Sequence, residues 1–246
     1  MPLGRLVLMK MNHIGLQQGL TKSLSQVGCL CLLVLLSVGQ VHATSMSLPM
    51  SQEFSGATAP AGSAPWLTPK FDDENTPGTV KFTLETTNLT GSEFVSGLYL
   101  NIDPAMDPAD LSFGSITKTG TFSDPTISLS TDTYKADGDG KYDILLSFST
   151  SSGSEFGAGE ELTVIITGSN SAAGLEATDF AFLSLPSGGN GPFHAAAHIQ
   201  SIGAGGDSGW IAPGFGFDPF NTIPEPSALA LLSSGALLVG IRRRRC

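Results

Sequence analysis

Thr79-Val80-Lys81-Phe82-Thr83-Leu84-Glu85 alternates without a break. Val80, Phe82 and Leu84 fall on one side and the threonines, Lys81 and Glu85 on the other, the period of two that makes a half-buried strand. Residues 94–102 repeat the pattern, with Phe94, Leu98, Leu100 and Ile102 on one face. Further runs lie at 126–130, 142–149, 161–167, 178–185 and 193–202, nearly all bounded by Gly, Ser, Asp or Pro, and none keeps a helical period. Spaced short strands with turn residues between them predict an all-β domain over 79–212, an antiparallel β-sandwich of jelly-roll or immunoglobulin-like kind. Residues 107–111 add at most one helical turn.

Outward from this block the pattern fades on both sides. Residues 44–78 carry Pro49, Pro60, Pro65, Pro69 and Pro77 among Ser, Ala and Gly, and read as a loosely structured lead-in with Trp66 and Phe71 packed on the domain edge. Residues 203–221 are Gly-rich and dotted with aromatics, which suggests a final short strand around Trp210 and a linker over 213–223.

The block between the two ends is strongly acidic. Five of the chain's 12 basic residues, all lysines, lie in 44–223, against every one of the 22 acidic residues except Glu225. Such a surface argues against nucleic acid and anionic membrane as partners. The three cysteines, Cys29, Cys31 and Cys246, all lie outside it, so no intrachain disulfide can staple the body and its stability must come from burial.

Few groups in the body suggest chemistry. In Asp137-Gly-Asp139-Gly-Lys-Tyr-Asp143, alternating carboxylates around a turn glycine can wrap a calcium ion, which makes Asp137, Asp139 and Asp143 candidate ligands. Aligned on Gly140, however, the first ligand position falls on Lys135. A polar Asp-Gly turn entering the next strand is therefore the favoured reading, and calcium the alternative. His194 and His198 are four apart, a zinc spacing on a helix, but in an alternating segment they share the polar face with Gln200 and lack a third ligand. Asn88-Leu-Thr90 fits a short glycosylation pattern of little weight here. No Gly-x-Ser-x-Gly elbow, Walker loop or His-Glu-x-x-His occurs, so no enzyme is expected. Trp66, Tyr99, Tyr134, Tyr142 and Trp210 would form a sugar-stacking platform if they shared an exposed sheet face; otherwise they complete the core.

The two ends carry addresses. The opening 43 residues hold Arg5, Lys10 and Lys22 and no acid, then a Leu/Val-rich run over 27–38, then Val41-His42-Ala43. This is the layout of a secretory signal peptide, forming a signal helix and cleaved after Ala43 by signal peptidase. Cys29 follows Gln26-Val27-Gly28, a poor lipobox, so lipidation there is not expected. At the other end Pro224-Glu225-Pro226 precedes a charge-free apolar segment, residues 227–241, and a basic cluster, Arg242, Arg243, Arg244 and Arg245. As a helix the apolar segment rises roughly 22 Å against a hydrocarbon core of about 30 Å, a short transmembrane anchor that snorkelling arginines and local thinning can accommodate. Carrying four arginines through would cost on the order of 10 kcal/mol, so they stay cytoplasmic and everything before Pro224 lies across the membrane. The prolines keep the intervening peptide extended and open to a processing enzyme.

This order of parts over residues 224–246 resembles the PEP-CTERM sorting signal, handled by the membrane transpeptidases called exosortases. The resemblance implies that Pro224, Glu225 and Pro226 are the recognition motif and the arginines the stop. It also implies passage to the surface or matrix of a Gram-negative bacterium that makes extracellular polysaccharide. Cys246 lies beyond the usual end. The body is similar to an uncharacterised type found ahead of such tails, through residues 88–103, 136–144 and 198–203 with 208–210, which brings no activity with it. The expected function is a non-enzymatic surface or biofilm protein, with a carbohydrate-binding or carbohydrate-active module as the alternative.

Overall fold

The computed structural model describes residues 43–219 apart from Gly138. In this range the chain forms β1 (Ser45–Ser47), β2 (Met50–Glu53), β3 (Thr68–Asp72), β4 (Thr79–Glu85), β5 (Phe94–Leu100), β6 (Leu111–Phe113) and β7 (Thr117–Thr119). The second half adds β8 (Thr126–Ala136), β9 (Gly140–Ser147), β10 (Phe156–Gly157), β11 (Glu161–Gly168), β12 (Leu185–Pro186), β13 (Ala195–Ile202) and β14 (Asp207–Pro213). Short 3₁₀ turns at Pro108–Asp110, Asn170–Ala172 and Ala177–Phe180 join them. The expected turn near residue 107 is there, its Ala109 N–H donating to the Asp107 carboxylate.

Two sheets result, and every pairing among the described residues is antiparallel. One runs β1-β3-β4-β11-β6, with β7 also on β11; the other runs β12-β9-β5-β13-β14-β2, with β8 on β9 and β10 on β5. The alternation of β4 is met in full, since Val80, Phe82 and Leu84 are completely buried. They meet Phe71 and Val164 of their own sheet and Val95, Leu98 and Ile144 of the other in a single core, which makes the body sandwich-like. β4 and β11 pair over their whole length, Glu161 opposite Glu85 through Thr167 opposite Thr79.

The structure departs from expectation in three places. The stretch 44–78 contributes β1, β2 and β3, and Met46, Leu48, Met50, Trp66 and Phe71 are core residues. β1 and β2 are the edge strands of opposite sheets, and edges are where a proline-broken segment such as this one can pair on one side only. Residues 178–185, read as a strand, instead hold a 3₁₀ turn closed by reciprocal bonds between Glu176 and Asp179, which puts the Phe180 ring on Phe71 at 4.4 Å. In β5 the register slips between the pairs His198–Gly97 and Ile199–Val95, so Val95 rather than Phe94 joins Leu98 and Leu100 in the main core. Among the described residues no helix is long and apolar enough to cross a membrane. The expected signal helix and C-terminal transmembrane helix lie outside the described residues.

Candidate functional site

On the face of the eight-stranded sheet turned away from the main core, side chains that alternate with core residues gather into a second cluster. Leu98 and Leu100 point into the main core and Tyr99 away from it; Ile211 points in and Trp210 away. Phe54, Tyr142, Phe193, Ala196 and Ala212 are buried here beneath half-buried Tyr99, Tyr134 and Trp210. Strand register sets the order, with Tyr134 opposite Tyr142, Tyr99 opposite Ala196, and Trp210 opposite His198. Tyr142 has the parity of the core residues Ile144 and Leu146, yet it joins this second cluster. The change coincides with the break in β8–β9 register between Leu129 and Tyr134.

The rings touch in series. Tyr99 lies 5.8 Å from Tyr142, edge to face, and 5.3 Å from Trp210, and the His198 ring stacks on Trp210 at 4.6 Å with 20° between planes. Gly97 makes room for the row, since a Cβ there would sit 3.1 Å from the Tyr99 ring. Ser96 Oγ shares a 2.8 Å hydrogen bond with His198 Nδ1. Burial lowers the His198 pKa against the opposing pull of Asp137, which favours the neutral imidazole, and burial raises that of the Tyr99 phenol. Among the described residues no hydrogen bond engages the Tyr99 hydroxyl or the Trp210 indole N–H, and neither is a buried unpaired atom. Both polar tips therefore face water. The arrangement offers a half-exposed strip of uncharged aromatic faces with free hydrogen-bonding groups at its rim, suited to a flat ligand with one apolar and one hydroxylated side.

Trp66, grouped with these aromatics by sequence, belongs elsewhere: its ring is in the main core and its Nε1 donates to the Gly62 carbonyl at 2.6 Å. Alternation placed His198 on the polar face of its strand but did not group it with these aromatics, and Gly97, its partner across the sheet, was the available signal.

The candidate calcium residues take other work. Asp139 is fully buried and accepts hydrogen bonds from the Tyr142 hydroxyl and, at 3.3 Å, from Ser184 Oγ. Asp143 accepts the backbone N–H groups of Ile102 at 3.1 Å and Asp132 at 2.8 Å, while Asp137 is exposed at the turn. Burial raises both the Asp139 and the Asp143 carboxyl pKa, opposed by those hydrogen bonds. Burial, then the Asp139 charge, pushes the Tyr142 phenol far up. Among the described residues no group of three or more His, Cys, Asp or Glu side chains is placed to hold a metal ion. His194 and His198 part company as well, His194 standing against Phe217 with a buried, unpaired Nδ1. Asn88 donates its amide to the Pro65 carbonyl at 2.9 Å.

At the cleavage position expected from the sequence, Ala43 is exposed, and Thr44 is half-buried just before β1. Pro224, Glu225, Pro226 and Arg242 to Arg245 lie outside the described residues. No curated protein and no solved structure matches the chain. Residues 222–245 match the PEP-CTERM protein-sorting motif, so this chain carries at its C-terminus the signal by which exported proteins are handed to an exosortase.

Proposed function

We propose that this is a non-enzymatic protein of the cell surface or extracellular matrix, delivered by export and released from its membrane-anchored precursor by an exosortase-type transpeptidase. The match over residues 222–245 carries this reading. The precursor is held by the apolar segment 227–241 and stopped by Arg242 to Arg245, with Pro224-Glu225-Pro226 presented at the outer membrane face. Mass spectrometry of the C-terminus in cells with and without the transpeptidase tests it. A terminus trimmed near Pro224 only when the enzyme is present is the expected result; an intact Cys246 terminus in both overturns it.

The strip formed by Tyr99, Tyr134, His198 and Trp210 favours a second element of this function, binding of a neutral polysaccharide. A pyranose stacks its axial C–H face on an aromatic ring and leaves its hydroxyls at the edge, where the Tyr99 hydroxyl and Trp210 N–H stand. The acidic body selects against anionic glycans by repulsion. Glycan-array binding by the processed protein should be lost in Trp210→Ala and Tyr99→Ala forms that keep the parent melting temperature within a few degrees. Binding unchanged in both removes this face from the function.

A further inference from the structure

The backbone nitrogen of Thr44, just ahead of β1, is held by a carboxylate. Thr44 N–H donates to Asp73 Oδ1 at 2.9 Å, and the Asp73 N–H donates back to the Thr44 carbonyl at 3.1 Å. Asp73 is only 6% exposed although it is charged and sits in a turn. Its Oδ1 also accepts the Asn75 N–H at 3.0 Å, which fixes the left-handed Glu74 and Asn75 (φ 45° and 59°) and aims the carboxylate at Thr44. From here β1 runs antiparallel to β3, Ser45 opposite Asp72 and Ser47 opposite Lys70, and the chain buries Met46 and Leu48 within four residues.

Hydrolysis of the Ala43–Thr44 bond changes what that nitrogen is. Water adds across the peptide bond, Ala43 leaves as a carboxylate, and the Thr44 nitrogen takes up protons to become an α-ammonium, whose ordinary pKa of about 8 keeps it mostly charged at neutral pH. We propose that Asp73 is the receptor for this new amino terminus, so that removal of the leader turns an amide-to-carboxylate hydrogen bond into a half-buried ion pair that pins β1 to the edge of its sheet. The inference rests on the reading of Ala43 as the last residue of the signal peptide. The surroundings suit a cation. A cavity of about 930 Å³ beside Thr44 is walled by four carboxylates, Asp72, Glu85, Glu161 and Asp218, against two lysines. Those lysines are Lys70, bonded to Glu85, and Lys81, bonded to Glu74. Once the donor is an ammonium both partners carry charge, which adds Coulombic attraction to the existing bond, and the gain falls on a strand that has a partner on one side only. The processed protein therefore has a firmer edge than its precursor.

The test compares the precursor, purified from cells in which signal peptidase is inhibited, with the processed protein from untreated cells, each with and without Asp73→Asn. The amide keeps an acceptor for both N–H groups, so the precursor should lose less than about 1 °C in Tm while the processed form loses about 3 °C. Acetylating the terminal amine of the processed form near pH 6.5, where lysines stay protonated, should cost it a similar amount without touching Asp73. Equal losses from Asp73→Asn in the two forms, or no loss on acetylation, overturn the ion pair. Mass spectrometry of the same samples separates the two readings. A terminus other than Thr44 overturns the cleavage site and the ion pair together, whereas a Thr44 terminus with equal losses overturns the ion pair alone.

Discussion

Glu93 carries more of the structure than its place at a strand start suggests. It is 2% exposed and accepts the N–H groups of Ala61 at 2.7 Å and Thr90 at 2.8 Å, tying the proline-rich stretch after β2 to the start of β5. Glu93→Ala strands two donors in a protected site, each costing roughly 1–3 kcal/mol. At 2–4 °C per kcal/mol for a body this size, the melting temperature should fall by about 4–24 °C, and Glu93→Gln, which keeps an acceptor, should lose less; a thermal scan reads both. Asp139 behaves oppositely. Burial raises its carboxyl above the ordinary 3.8, against the lowering effect of bonds from Tyr142 and Ser184. Below the unfolded value both states are protonated and no penalty exists. As pH climbs through the raised folded value, the native state must hold a charge the unfolded chain solvates better, so stability is lost. Asp139→Asn, which can still accept from Tyr142, should therefore equal the parent near pH 4 and gain on it toward pH 8 in urea titrations at the two pH values. A constant offset would mean that the charge on Asp139 is immaterial.

At the scale of the element, legibility followed the strength of alternation. β4, β11 and β13 were plain in the sequence because each sets apolar residues at every second position and is paired on both sides. β1 and β2 carry the same signal in Met46, Leu48 and Met50, but Pro49 interrupts it and the flanking prolines read as loop. The information needed was that these are sheet edges, which only tertiary pairing supplies. The aromatic strip was half legible for a related reason. Period two places Tyr99 and Trp210 opposite the core residues beside them, yet their meeting depends on the β13–β14 register and on the bulge at Gly97, both non-local. Leu48, fully buried between β1 and β2, decides whether this segment is structural. Leu48→Ala should cost about 2–5 kcal/mol, seen as a lower urea midpoint at unchanged slope. A loose lead-in would tolerate the same change within about 0.5 kcal/mol.

Taken whole, the body is an acidic particle without a disulfide, and its response to ions follows from that charge. Among the described residues three ion pairs stand on the surface, Lys70–Glu85 at 2.5 Å, Lys81–Glu74 at 2.5 Å and Lys118–Asp124 at 2.8 Å. Partly exposed pairs like these contribute about 0–1 kcal/mol each. They are outnumbered by carboxylates without a basic neighbour, whose mutual repulsion acts over many ångströms. Raising ionic strength from about 0.01 to 0.15 M shortens the screening length from about 30 to 8 Å, which removes the long-range repulsion while leaving contacts near 3 Å largely intact. The melting temperature of the processed protein should therefore rise with sodium chloride; a fall would mean that the three pairs outweigh the repulsion. Calcium sharpens the experiment, because the Asp137, Asp139 and Asp143 loop spends two of its carboxylates on internal donors. Calcium chloride at matched ionic strength should then raise the midpoint no further than a divalent ion does by screening, magnesium serving as the control. A calcium-specific rise, abolished by Asp137→Asn, would show that the turn reorganises around the ion and would restore it as a binding loop.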